Sequence, residues 1–155
     1  MKTCAFAGHR EAFASGSEIE IDRAIDSLLA EDDAFVFLTG GMGDFDGKCS
    51  AAVRKAKRRY PDKDIKLTLV EPYMKNEINE NKEYYEASFD DVVIPMELAD
   101  AHYKSAITQR NRWMIDRSDY LIAFVYRNFG GAYETLKYAK KKEGIVIINL
   151  AEKER

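Results

Sequence analysis

Short apolar runs along this chain alternate with longer segments in which apolar residues recur every third or fourth position. The short runs are "TCAFAG" at 3–8, "AFVFLTGG" at 34–41, "IKLTLV" at 65–70, "DDVVIPM" at 90–96, "YLIAFVY" at 120–126 and "IVIINL" at 145–150. Their apolar, largely β-branched and aromatic character, bounded by Gly, Pro or Asp, predicts strands. The longer segments predict amphipathic helices. In "SEIEIDRAIDSLLAED" residues Ile21, Ala24, Ile25, Leu28 and Leu29 share one stripe. Cys49, Ala52, Val53, Ala56 and Tyr60 form another, until Pro61 stops the run. The polar "KNEINENKEYYEASF" predicts partial helix, "SAITQRNRWMIDRS" a long helix and "AYETLKYAKKKEG" the last one.

Strands separated by helices need crossovers, and crossovers cover both faces of a parallel sheet. The expected fold class is therefore α/β: a single Rossmann-like three-layer domain, residues 1–155, with a mainly parallel open sheet of about six strands. The charged end "AEKER" at 151–155 predicts fraying.

Composition narrows the function classes. With 155 residues, 46% of them hydrophobic, the chain has material for one core. No apolar run approaches the ~18–20 residues of a membrane span, and "MKTCAFAGHR" has no leader-like apolar stretch, so a cytoplasmic protein without membrane contact is expected. Cys4 falls in a strand pattern and Cys49 in a helical one, which reads as reduced core thiols. Two separated His residues and no paired Cys have no zinc-site spacing, so no metal site is expected. A formal charge of −3 disfavours nucleic acid as a partner. The basic run "RKAKRRY" at 54–60 places Arg54, Lys55, Lys57, Arg58 and Arg59 on the solvated side of a helix.

In open α/β sheets ligands bind beyond the carboxyl ends of the strands, so the turns that leave strands carry the chemistry. Three stand out: "GHR" at 8–10, "GGMGDFD" at 40–46 and "NFGG" at 128–131. The second comes close to a Walker loop and to a dinucleotide fingerprint without satisfying either, since Met42, Cys49 and Asp46 occupy required positions. Glycines there permit positive φ and close approach of a ligand to main-chain N–H groups at a helix start; ordinary tight turns would use them equally.

The long helix adds an independent clue. At ~100° per residue, Tyr103, Ala106, Ile107, Trp113 and Met114 fall on one stripe with Arg110 near its middle, while Arg112 faces away. An inward cation needs a carboxylate (Asp46, Asp116 or Asp119), carbonyls or a bound anion. Arg117 lies in the last turn, where a cation complements the helix dipole.

The strings "CAFAGHR", "TGGMGDFD", "RYPDKDIKLTLVEPY", "QRNRWMIDRSDYLIAFV" and "GGAYETLKYAKKKEGIVIINL", in this order and spacing, resemble the SLOG superfamily. That Rossmann-like group contains the cytokinin-activating phosphoribohydrolases (LOG proteins) and the DNA-processing SMF/DprA proteins, and the match is nearest to its small YpsA-like bacterial members. In the phosphoribohydrolases an arginine before the last glycine turn and a glutamate after it surround the ribose-phosphate. The resemblance carries the arginine to Arg110, whereas the glutamate's position holds Lys137, with Glu134 one turn earlier. The proline before the glycine pair is replaced by Phe129, and Tyr133 and Glu134 stand where Gly-Thr would follow. In the second turn Phe45 and Asp46 match the YpsA-like pattern, while Asp44 replaces a glycine.

Two readings follow. In the first the chain is a nucleotide-binding module for an NAD-derived or ADP-ribose-like ligand, needing no cofactor and answering to a protein partner. Its ligand-binding residues would be Gly8, His9, Arg10, Gly40, Gly41, Gly43, Asp46, Arg110, Asn111, Gly130, Gly131 and Glu134. In the second it hydrolyses the N-glycosidic bond of a nucleoside monophosphate, with Arg110 holding phosphate, Glu134 or Asp46 as carboxylate and His9 as acid or base. DNA binding, as in the SMF/DprA relatives, ranks below both. Self-association as a homodimer is implied by the resemblance alone.

Overall fold

The computed structural model describes residues 1–10 and 17–151; the charged end expected to fray lies, from residue 152 onward, outside them. In chain order the elements are β1 (Lys2–Gly8), α1 (Ser17–Leu29), β2 (Ala34–Thr39), α2 (Asp44–Arg59), β3 (Asp64–Val70), α3 (Asn76–Glu80), α4 (Lys82–Ser88), β4 (Asp91–Val93), α5 (Tyr103–Asp116), β5 (Tyr120–Phe124), α6 (Gly131–Lys140) and β6 (Val146–Asn149). A 3-10 turn, Met96–Leu98, precedes α5. The polar segment expected to be part helix forms the two short helices α3 and α4, neither of which buries a residue.

The six strands form one sheet in the order β4-β3-β2-β1-β5-β6, and every neighbouring pair is parallel. Because side chains alternate across a strand, β1 sends Cys4 and Phe6 to one face and Ala5 and Ala7 to the other. The first face packs under α1 and α2, whose predicted stripes supply Ile21, Ile25, Leu29, Cys49, Val53 and Ala56. The second packs under α5 and α6 through Met114, Ile115, Leu136 and Ala139. This is a three-layer Rossmann-like α/β fold. Both cysteines are unpaired and fully buried, and burial pushes both thiols up.

Two details of the helices depart from the sequence pattern. Tyr103, placed on the inward stripe of α5, is 67% exposed, because the stripe begins to meet the sheet only at Ala106, and Ile115 is buried in its stead. The cations of α2 do not form a free basic face. Lys55 pairs with Asp22 at 2.9 Å, Lys57 with Asp90 at 2.6 Å and Arg59 with Asp26 at 2.6 Å, while Arg54 Nε donates to Ser88 O.

Candidate functional site

The order of strands reverses direction between β1 and β5, and at such a switch point the connections leave for opposite faces and open a crevice. A cavity of about 450 Å³ occupies that crevice. β1 contributes its exit, Gly8 to Arg10; the turn after β2 contributes Met42; α2 contributes Asp46; α5 contributes Ile107, Arg110, Asn111 and Met114. The turn after β5 and the start of α6 close it with Arg127, Phe129, Gly130, Gly131, Ala132 and Thr135.

Arg110 is 2% exposed, as its phase on the helix required. Its Nη1 donates to Val70 O at 2.9 Å and Gly40 O at 3.3 Å, its Nε to Asn111 Oδ1 at 2.9 Å, and Nη2 lies 3.3 Å from Met42 Sδ. The guanidinium therefore ties the carboxyl ends of β2 and β3 together through their carbonyls, and sulfur is a weak acceptor that leaves Nη2 its capacity for a guest. Burial lowers its pKa, opposed by the charges of Asp46 and Glu71. Asp116 and Asp119, the other acids expected to pair with it, serve elsewhere: Asp116 accepts from Tyr138 Oη and Asp119 from Thr3 N.

Asp46 sits in the first turn of α2, 8% exposed, and its Oδ2 accepts from Met42 N at 3.0 Å. The carboxylate thus reaches back from the first turn of α2 and fastens the glycine turn that leads into the helix. Burial raises its pKa to about 6, against the Met42 hydrogen bond and the charges of Arg110 and Arg10. Among the described residues lining the cavity it is the only carboxylate.

Glu134 does not join this site. It lies on the exposed face of α6, its carboxylate 3.8 Å from Lys137 Nζ, because the first turn of α6 points Gly131, Ala132 and Thr135 inward and residue 134 outward. His9 does line the cavity, but its Nε2 is occupied, accepting from Tyr126 N at 3.1 Å and Arg127 N at 3.3 Å. In this arrangement the lone pair a general base needs is committed to main chain.

The glycines divide into two groups. A Cβ on Gly8 would stand 2.3 Å from the Phe45 ring and one on Gly40 would stand 2.8 Å from Arg110 Cζ, so these two admit a helix and a guanidinium. Gly41 and Gly43, at φ 65° and 90°, close the turn against Leu69 and the Arg10 backbone. Gly40, Gly41 and Gly43 are thus packing residues and not part of the cavity wall. Gly130 and Gly131 behave otherwise. Gly130, at φ 95°, caps α6, and among the described residues nothing lies within 4 Å of where a side chain at either position would stand, which leaves room for a guest to come close to the start of α6.

Several wall residues escaped the sequence reading. Met42, Ile107 and Met114 are apolar residues indistinguishable from core, whereas Arg127 and Thr135 flank the "NFGG" turn closely enough for that motif to have pointed to them. His102, which carried no role in the sequence, caps α5 by accepting from Lys104 N. No group of His, Cys, Asp and Glu among the described residues has metal-binding geometry, and no described helix is long and apolar enough to cross a membrane.

No family profile and no curated protein matches this chain. Solved structures do share its fold. The X-ray structure of DNA processing protein A (DprA) from Streptococcus pneumoniae is similar with a TM-score of 0.62 at 16% identity, over 94% of this chain and 49% of that one. DprA from Helicobacter pylori, described for its single-stranded DNA binding mode, gives 0.60 at 16% identity, over 94% and 64%. The molybdenum cofactor carrier protein from Chlamydomonas reinhardtii gives 0.49 at 15% identity, over 94% and 75%. The chain thus spans about half to two thirds of the two DprA chains. The Rossmann-like fold implied by the SLOG resemblance is the one observed, and it is shared with DprA.

Proposed function

We propose that the chain is a nucleotide-binding module of the SLOG type, whose ligand lies in the cavity between the exits of β1 and β5. The observation supporting it is a cavity of about 450 Å³ walled by a buried cation, a buried carboxylate and the open first turn of a helix. Phosphate would meet the main-chain donors at Gly130 and Gly131 together with Arg110 Nη2, and a ribose hydroxyl would donate to Asp46. The volume suits a mononucleotide; an ADP-ribose-like or NAD-derived ligand would continue past Arg127 and Phe129, the latter 62% exposed.

A thermal-shift panel of nucleoside monophosphates, ADP-ribose and NAD tests the reading, because a ligand at 100 times its Kd stabilises the folded state by about 2.7 kcal/mol. At least one phosphorylated nucleotide is expected to raise the midpoint, and the parent nucleoside is expected not to. Failure of every phosphorylated member at millimolar concentration overturns it. N-glycosidic hydrolysis is the second reading, favoured by one observation: Asp46 is a carboxylate buried in the cavity wall, where desolvation raises its pKa to about 6, toward the range suited to proton transfer near neutrality. Release of free base by the wild type, abolished in Asp46→Asn, would establish an enzyme, and intact ligand after long incubation would exclude it. Single-stranded DNA enters the same panel because the Helicobacter pylori neighbour is described as binding it. Its binding would fall steeply with added salt. Sedimentation with and without ligand tests the homodimer implied by the resemblance.

A further inference from the structure

His9 makes an unusual connection between two strand exits. Its Nε2 lies 3.1 Å from Tyr126 N and 3.3 Å from Arg127 N, its own main-chain N donates to Phe124 O, and its ring meets Tyr126 edge-on at 4.6 Å. A ring nitrogen that accepts carries no proton, so the imidazole is neutral with its hydrogen on Nδ1. The two amides it holds open the segment 126–131. Arg127 lies over the rings of Tyr126 and Phe129, and the segment ends at Gly130, the N-cap of α6. Arg127, Phe129, Gly130 and Gly131 together form one wall of the cavity.

We infer that His9 is a positioning residue that holds this wall in its ligand-binding shape only while its imidazole is neutral. The inference rests on the nucleotide-site reading for its consequence, though not for its geometry. A proton on Nε2 would set an N–H against two further N–H donors with no acceptor among them, and one side would have to withdraw. The surroundings give the cation little relief. His9 as a residue is 6% exposed, and Arg127, Arg10 and Arg110 face the same cavity from the turn after β5, the exit of β1 and α5. Asp46 on α2 is the only acid among the described wall residues, and it loses its own charge near pH 6. Burial and the Arg127 charge together lower the His9 pKa, so acid must first overcome the contact before it releases the wall.

Two measurements on the full chain test the inference, one of them without ligand. Nitrogen-15-resolved hydrogen exchange reads the Tyr126 and Arg127 amides directly, with the core amide of Ile122 as control for global opening. Between pH 7.5 and pH 5 their protection, corrected for intrinsic rates, is expected to fall about tenfold or more while Ile122 is unchanged. In His9→Gln, whose carbonyl accepts without titrating, protection stays flat; in His9→Phe it is low at both pH values. Binding of adenosine monophosphate by calorimetry is expected to weaken on the acid side about fivefold or more further in the wild type than in His9→Gln, whose own profile carries only the protonation of Asp46 and of the phosphate. Unchanged protection of the two amides, or equal acid profiles for wild type and His9→Gln, overturns the inference. If adenosine monophosphate fails to bind at any pH, the ligand reading loses support while the amide measurement still decides the role of His9.

Discussion

Asp46 is held as a buried carboxylate at a cost that a single substitution should reveal. Its pKa moves from 3.8 to about 6 on folding, with desolvation outweighing the Met42 hydrogen bond and two nearby arginines. At ~1.4 kcal/mol per unit, the charged form is disfavoured by about 3 kcal/mol. Because the folded value is raised, the folded state binds a proton between pH 3.8 and about 6 that the unfolded chain has released, so this group's contribution falls as pH rises through that window. Asp46→Asn removes the titration but keeps an oxygen to accept from Met42 N–H. The variant should therefore match the wild type near pH 4 and become progressively more stable than it above pH 6, by up to about 3 kcal/mol. Urea unfolding of both proteins from pH 4 to pH 8 gives the difference directly. Taking the difference at each pH also cancels His9, whose lowered pKa acts with the opposite sign, destabilising the fold as pH falls below 6.5. A pH-independent difference, or one in which the variant loses stability toward high pH, refutes the reasoning.

Three further expectations follow from packing. Gly8→Ala drives a methyl group into the Phe45 ring and should destabilise by about 1–3 kcal/mol, read as a lowered urea midpoint at unchanged slope. Gly40→Ala should cost a similar ~1–3 kcal/mol by displacing the Arg110 guanidinium from the carbonyls it bridges, and should weaken nucleotide binding along with stability. Glu134→Gln, on the exposed face of α6, should leave nucleotide affinity unchanged and move stability by no more than about 0.5 kcal/mol; a large loss of binding would put the carboxylate back in the site.

The layout of this protein was written largely in local pattern. Alternating apolar runs and helical stripes gave all six strands, and the phase of Arg110 on α5 was enough to place a cation inside. Phase describes a direction and not a partner, however. That Arg110 meets the carbonyls of Gly40 and Val70 depends on β2 and β3 ending side by side, a matter of sheet order.

The glycine turns make the same point from the other side. From the sequence "GGMGDFD" and "NFGG" looked alike, each a glycine pair leaving a strand. In the folded chain Arg110, Leu69 and the Arg10 backbone fill the space beside the glycines of the first, while among the described residues nothing stands within 4 Å of a side chain placed at Gly130 or Gly131 in the second. Periodicity and composition, being properties of neighbours in sequence, determined the elements, their parallel arrangement and the inward arginine. Which glycines face a cavity, that Glu134 turns outward, and that His9 grips the amides of Tyr126 and Arg127 were decided by contacts more than a hundred residues apart for His9 and seventy for Gly40 and Arg110, where only tertiary packing chooses the neighbour.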